Sequence, residues 1–355
     1  MVPKVFVTLV CGCLAVAGTV TAAPAEAVET PDPFMGDWQG SWRLDDWTDS
    51  GPLVAQVIAW GKGKYQANFL AEFDRRIPPL AVLQGQLENG TVRLSARGVQ
   101  LDNGAELQEI RAVIQADGFT GTFKGQDPSG EKLSGTFSLK KTVRLSRTLG
   151  AKPPRGAIVL FNGKNFDEWR RVQRKQGVDS VQWKLVDGAM EVKPGSGSII
   201  TKKEFMDLKL HLEFRTPFMP EARGQGRGNS GVYLQGRYEV QILDSYGLEG
   251  KDNECGGIYR VAPPKVNMCA PPMQWQTYDI IFRAPRFDEA GNKKSDARLT
   301  VVHNGVQIHN EVKAPTPTTA APDSNITKPG GIYLQDHGNR VQFRNIWLLE
   351  QPRLE

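Results

Sequence analysis

The chain of 355 residues carries 44 Lys and Arg against 39 Asp and Glu, a net charge of +5, with 39% hydrophobic and 23% charged residues. These proportions are those of a globular protein, and the length predicts about two domains. The basic residues are interspersed with acids and form no dense run, which sets nucleic-acid partners aside. The 37 Gly and 23 Pro, spread over many short segments, favour a loop-rich β protein over a helical bundle.

Residues 1–27 read as a secretory signal peptide. Lys4 precedes the apolar run Val5–Val20, and Thr21-Ala22-Ala23 and Ala25-Glu26-Ala27 offer small residues for cleavage. The run is too short and too interrupted by Gly12 and Gly18 for a membrane span. Apolar residues continue past Cys13, which argues against a lipid anchor there. The expectation is export, to the periplasm or beyond, with no transmembrane segment in the mature chain.

Residues 34–145 predict a small all-β accessory domain. Val54–Trp60, Tyr65–Leu70, Leu80–Leu87, Thr91–Ala96, Ile110–Ala116, Gly118–Lys124 and Lys132–Leu139 alternate or are rich in β-branched and aromatic residues. Gly-containing turn sequences lie between several of them, so a small antiparallel barrel or sandwich is expected. Trp38 and Trp42 read as core residues. No acid, base and nucleophile constellation is evident in this half.

Residues 146–156, with Pro153-Pro154, read as a linker. Residues 157–350 then predict a second antiparallel sandwich, with strands at Trp183–Val186, Ala189–Val192, Leu208–Arg215, Val232–Leu243, Gln276–Arg283, Arg298–His303, Gly331–Gln335 and Val341–Leu349. Val232-Tyr233-Leu234-Gln235 is echoed by Ile332-Tyr333-Leu334-Gln335, as two neighbouring strands of one sheet would be. Asn304-Gly305 marks a hairpin, with His303 and His309 expected to face solvent. His211 and Glu213 share one strand face and read as unpaired polar residues facing solvent.

Cys255 and Cys269 are the two cysteines beyond the signal segment, 14 residues apart around a Pro-rich loop. An oxidising compartment favours a disulfide between them, worth about 3 kcal/mol for a loop of that size. Two reduced thiols are the alternative; a metal site lacks ligands at suitable spacing.

The most informative segment is Gly228–Ser245, GNSGVYLQGRYEVQILDS. Within a strand, Glu239 and Gln241 point to one face. Asp244 joins them only if a bulge intervenes. The spacing echoes the acidic strand of jelly-roll glycosidases, with Gln241 where a central acid would stand.

Several motifs in order give this half a family resemblance. They are Leu160-Phe161-Asn162-Gly163-Lys164 with Trp169, Gly228–Tyr233, Tyr238–Asp244, Gly257-Ile258-Tyr259, Gly331–Gly338 and Phe343-Arg344-Asn345-Ile346. Residues 155–350 resemble the 3-keto-disaccharide hydrolase (DUF1080) family, outside which residues 34–145 lie. The segments Ala284–Asp296 and Pro315–Pro329 look inserted.

The resemblance implies a concanavalin A-like jelly roll acting on an oligosaccharide or glycoside already oxidised at sugar carbon 3, the ketone being made by a separate oxidoreductase. A C3 ketone acidifies the C2 proton, so one base, one acid and donors to the enolate oxygen suffice. On this reading Glu239 is the leading base and His337 a base or leaving-group acid. Asp244 orients a partner or binds a divalent cation, the one cofactor left open. Asn229, Gln235, Gln241 and Gln335 are candidate donors to sugar hydroxyls, Tyr233 is a candidate sugar platform, and Arg260 or Arg344 a partner for the enolate. No Gly-rich nucleotide fingerprint follows a strand, so no redox cofactor is expected. Two further readings stay open: a carbohydrate-binding protein without catalysis, and an ordinary glycosidase pairing Glu239 with Asp244.

Overall fold

The computed structural model describes residues 30–45, 48–172 and 180–351. The signal peptide expected over residues 1–27 lies outside the described residues. Among the described residues there is no α-helix, and the one helical element is a 3₁₀ turn at Gly224–Gly226.

Eight strands form a closed barrel in chain order: β1 (Gly36–Leu44), β2 (Ser50–Ala59), β3 (Lys64–Leu70), β4 (Ala81–Glu88), β5 (Thr91–Gln100), β6 (Glu106–Gln115), β7 (Gly118–Gln126) and β8 (Lys132–Thr142). Every neighbour pair is antiparallel, and β1 pairs with β8 to remove both edges. Seven of these strands follow from hydrophobic alternation. The eighth is the Trp-containing β1, whose central Gly40 lies so close to β8 that a Cβ there would fall 2.0 Å from the Ser138 carbonyl oxygen. Trp38 is fully buried, its ring edge-on to Phe119 at 5.7 Å, as a core tryptophan should be.

Two antiparallel sheets follow. The first runs β10 (Trp169–Arg171), β13 (Ile199–Thr201), β22 (Tyr333–Leu334), β15 (Ser230–Leu234), β16 (Tyr238–Ile242). The second runs β11 (Lys184–Val186), β12 (Ala189–Glu191), β23 (Gln342–Glu350), β14 (Leu208–Arg215), β17 (Gln276–Arg283), β20 (Ala297–His303), β21 (Val306–Ala314), with β9 (Ile158–Phe161) also on β23. A ribbon of β18 (Arg286–Phe287) and β19 (Lys293–Ser295) lies in the charged segment after β17. Val232, Leu234, Tyr238 and Val240 of the first sheet share one core with Leu210, Leu212, Phe214 and Phe282 of the second. Period-two alternation therefore sends Tyr233, Glu239 and Gln241 to the outer face of the first sheet, and His211 and Glu213 to the outer face of the second.

The structure corrects several expectations. Val232–Leu243 is not one strand but the hairpin β15–β16, turned by Gln235 and Gly236, both at positive φ (57° and 66°). The repeated Tyr-Leu-Gln segments do lie side by side, with Tyr233 opposite Tyr333. The Asn304-Gly305 turn is present at positive φ, but His303 and His309 are buried. His303 bonds Gln276 and His309 bonds the Gly256 carbonyl.

The linker is pinned to the second sheet. Ser146 and Thr148 hydroxyls bond Thr277, Thr148 donates to Asp279 (2.6 Å), and the Gly150 amide donates to Glu213 (2.6 Å). His211 lies between Asp279 (2.8 Å) and Glu213 (3.8 Å) under the stacked Trp347 ring. The two polar residues read as surface features are thus the anchor of the linker.

Cys255 and Cys269 are buried neighbours, but as free thiols hydrogen-bonded to each other and not as the expected disulfide. Each sulphur has further partners: Cys255 the Tyr278 hydroxyl (3.3 Å), Cys269 the carbonyls of Leu243 and Ala270 (3.4 Å each). Burial pushes the Cys269 thiol well up, so it stays protonated and unreactive. Thiol labelling should accordingly find no reactive cysteine in native protein and both of them after unfolding without reductant. An unfolded, unreduced sample with no free thiol would establish the disulfide instead.

Candidate active site

Glu239 lies at the middle of β16 and is 3% exposed. Its cross-strand neighbour is Tyr233, and Gln241 lies opposite Gly231. The predicted sharing of one face by Glu239 and Gln241 is what the register produces. Gly231 has no side chain because the carboxylate occupies its place. A Cβ there would fall 2.2 Å from Glu239 Oε1 and 3.0 Å from the Tyr233 ring.

A hydrogen-bond chain orients the carboxylate. The Gln335 side-chain amide donates to the Tyr233 hydroxyl (3.1 Å), which leaves that hydroxyl's proton for Glu239. The Gln335 amide nitrogen donates to the Gly231 carbonyl, fixing β22 to β15 at this point. Tyr333 stands edge-on to Tyr233 at 5.0 Å. Burial removes water from Glu239 and raises its carboxyl to about 8, and the Tyr233 hydrogen bond offsets only part of this. Tyr233 in turn is held protonated by burial and by the adjacent carboxylate.

Beside this pair lies an amide cluster. Gln241 donates to the Gln225 side-chain oxygen (3.0 Å), and Asn229 donates to the Gln225 backbone (2.7 Å) and side-chain (3.2 Å) oxygens. Asn229 Oδ1 is buried with no hydrogen-bond partner among the described residues. On another side Tyr259 donates its amide to the Glu239 carbonyl (3.1 Å), and Arg260 lies over the Tyr259 ring at 5.7 Å. Arg260 and His337 are exposed, the latter two residues beyond Gln335.

Glu239, Tyr233, Gln241, Asn229 and Gln335 therefore come together, while Arg260 and His337 are exposed residues that follow Tyr259 and Gln335 in the chain. Three predicted site residues do not join them. Gln235 lies in the hairpin turn, where it bonds the Phe205 carbonyl and Arg237. Arg344 is on the second sheet, paired with Glu213 (2.7 Å) and stacked on Trp275, so the core separates it from Glu239. Asp244 lies beyond the end of β16, fully buried and ion-paired with Arg227 (2.7 Å). It is committed to that partner, which removes the Glu239–Asp244 carboxylate pair of an ordinary glycosidase. Among the described residues no group of three or more His, Cys, Asp or Glu is placed to hold a metal ion, Asp244 included.

Sequence reasoning missed Gly231, Gln225 and Trp60. Gly231 was legible only as one member of the Gly228–Tyr233 motif until the fold brought the Glu239 carboxylate over it. Gln225 and Trp60 carry no motif. Trp60, just past β2 of the barrel, lies against Arg223 (4.5 Å) and Arg227 (4.9 Å), and its carbonyl accepts from Arg223 (2.7 Å). These arginines flank Gln225, so the barrel braces the loop that holds the amide cluster. Further ties run from Asn68 to the Gly247 carbonyl (2.7 Å) and from Tyr246 to Asp37 (2.7 Å).

A family model described as the 3-keto-alpha-glucoside-1,2-lyase-like domain matches residues 156–349, just over half of the 355 residues. The chain belongs to this family. Among solved structures it is similar to a candidate glycosyl hydrolase from Parabacteroides distasonis, with 37% identity and a TM-score of 0.51 over 56% of this chain and 85% of that one. A second candidate glycosyl hydrolase from the same organism shares 22% identity at a TM-score of 0.41, over 56% of this chain and 94% of that one. No curated protein matches significantly.

Two predictions follow from this geometry. A carboxyl held near 8 in the folded protein, against 4.5 when free, binds a proton that the unfolded chain has lost between those pH values. Stability therefore falls as pH rises through that window, by about 1.4 kcal/mol per pH unit, to a cost on the order of 5 kcal/mol above it. Glu239→Gln should recover roughly 2 kcal/mol or more at pH 9 and little at pH 5, as read from chemical denaturation. An equal effect at both pH values would mean that Glu239 ionises freely. Separately, Gly231→Ala should displace the carboxylate while leaving the hairpin paired. The expected result is a folded protein whose pH-dependent stability loss is reduced, and an unchanged pH dependence would contradict the close approach.

Proposed function

We propose that the protein is an exported enzyme that cleaves 3-keto-glycosides by elimination and rehydration, with Glu239 as the base. Family membership makes it a carbohydrate-active enzyme; the observation that supports the finer reading is the buried Glu239 carboxyl, raised to about 8 and paired with no second acid among the described residues. Such a group is a strong base once ionised, and general acid–base catalysis works best when the base's pKa lies near the working pH.

The steps are these. Ionised Glu239 takes the proton from C2, and the electron pair moves toward the C3 carbonyl, giving an enolate. The enolate collapses, the C1–O bond breaks, and the leaving alcohol departs with a proton, leaving an unsaturated ketone. Water adds at C1 and a proton returns to C2, so the net result is hydrolysis. Tyr233 and Gln335 hold the base. The Gln225–Gln241–Asn229 amides are the candidate partners of sugar hydroxyls, and the exposed Arg260 and His337 are the candidates for the enolate oxygen and the leaving group. The ketone comes from a separate oxidoreductase.

The decisive experiment supplies a 3-keto-glucoside and its unoxidised parent in heavy water. The keto substrate should be hydrolysed with deuterium incorporated at C2, and the parent left intact. Glu239→Gln should lower turnover by about 10²–10⁴-fold with binding largely kept. Because the base acts ionised, kcat/KM should climb with pH and level off above about 8. Hydrolysis without C2 exchange would reject elimination, and sugar binding without turnover would favour a lectin.

A further inference from the structure

The barrel is solid at one level and hollow at another. Its floor is an aromatic cluster, Phe69 against Phe119 (5.4 Å) and Phe137 (5.0 Å), with Trp38 below. Above it lies a cavity of about 400 Å³ at the end carrying the β1–β2, β3–β4, β5–β6 and β7–β8 connections. Its walls include Trp42, Leu53, Leu107, Ile110, Phe123 and Leu133. Small-molecule sites span roughly 300–1,000 Å³ and are mostly apolar, and eight strands give a barrel wide enough for either side chains or one small ligand.

The hollow is built into the strand pairing. Phe123 lies opposite Gly135, and Phe137 opposite Gly121. A Cβ at Gly135 would fall 2.3 Å from the Phe123 ring, and one at Gly121 would fall 2.4 Å from the Phe137 ring. The two glycines let both rings lie along the wall across the neighbouring strand, an arrangement known from aromatic–glycine pairs in sheets. Rings held upright would occupy the space that is open. Small Ala81 and Ala105 line the same space.

Polarity at the mouth selects the occupant. The polar side chains lining the cavity are Asp49, Asn103 and Asp127, with no Lys or Arg among the described lining residues. Asp127 caps its own turn through the Ser129 amide (2.8 Å) and hydroxyl (2.6 Å), which holds its carboxyl below its usual value and so ionised. Two carboxylates at the entrance of an apolar hole repel an anionic head group.

We infer that the N-terminal barrel is a binding site for one apolar small molecule whose polar end is uncharged or cationic. This site is separate from Glu239 and independent of the proposed reaction.

The test uses the full chain and the neutral fluorophore N-phenyl-1-naphthylamine. Saturable one-to-one binding, with energy transfer from tryptophan, is expected. Dodecanol and dodecyltrimethylammonium should displace the probe, and laurate should need at least about tenfold more, since tenfold is only about 1.4 kcal/mol of repulsion. Ala81→Phe should fill the hole and weaken probe binding at least tenfold, with Leu107→Trp as a second filling variant if the first does not melt cooperatively. Glu239→Gln should bind the probe as wild type does. Absence of saturable binding, or binding unaffected by both filling variants, would overturn the site. Displacement by laurate at the same concentration as dodecanol would overturn its charge preference.

Discussion

The structure turns on a carboxylate seated over a glycine in the middle of a sheet. Glu239 can occupy that position only because Gly231, diagonally across on β15, lacks a Cβ and because the Tyr233 hydroxyl supplies a hydrogen bond. An unpaired buried charge costs several kcal/mol, so the protein keeps the group protonated over most of the neutral range. Everything around it serves that placement. The β15–β16 turn sets the register, β22 delivers Gln335 to Tyr233, and Thr318 accepts the Glu239 amide (3.1 Å) to close the open edge of β16.

The barrel belongs to this arrangement more closely than its separate sequence pattern suggests. Trp60 braces the arginines on either side of Gln225, Asp37 receives Tyr246 and Arg144, and the linker is tied down through Thr148 and Gly150. Residues 155–350 carry every side chain assigned to the chemistry, yet one loop of their site rests on a residue outside them.

Much of this was legible in the chain because alternation is a local signal. The strands at Leu208–Arg215 and Gln276–Arg283 coincide with the expected bounds, and the repeated Tyr-Leu-Gln motif marked two paired strands. What was not legible depends on contacts distant in sequence. A three-residue Gln-Gly-Arg turn inside an apolar alternation hid the hairpin, so Gln235 was placed on the site face when it turns the chain. Arg344 and Glu239 sit in similar strand motifs, and only the pairing order reveals that they belong to different sheets. His303 and His309 flank a turn, which suggested exposure, but the loop carrying Cys255 and Gly256 covers them.

Two buried glutamates show how environment decides between structure and chemistry. Glu213 is as inaccessible as Glu239, at 1% exposure against 3%. Burial alone would raise its carboxyl too, but His211 beside it at 3.8 Å and the bonds donated by Asn345, the Gly150 amide and Arg344 hold it at about 2. A carboxylate so fully satisfied is a fixed charge and a poor base; it clamps the linker. Glu239 has one hydroxyl, and its carboxyl lies near 8. The sequence presents both as a single acid on a strand face beside a polar neighbour two residues away. The number of donors that the fold brings to each is what separates an anchor from a residue able to take and release a proton near neutral pH.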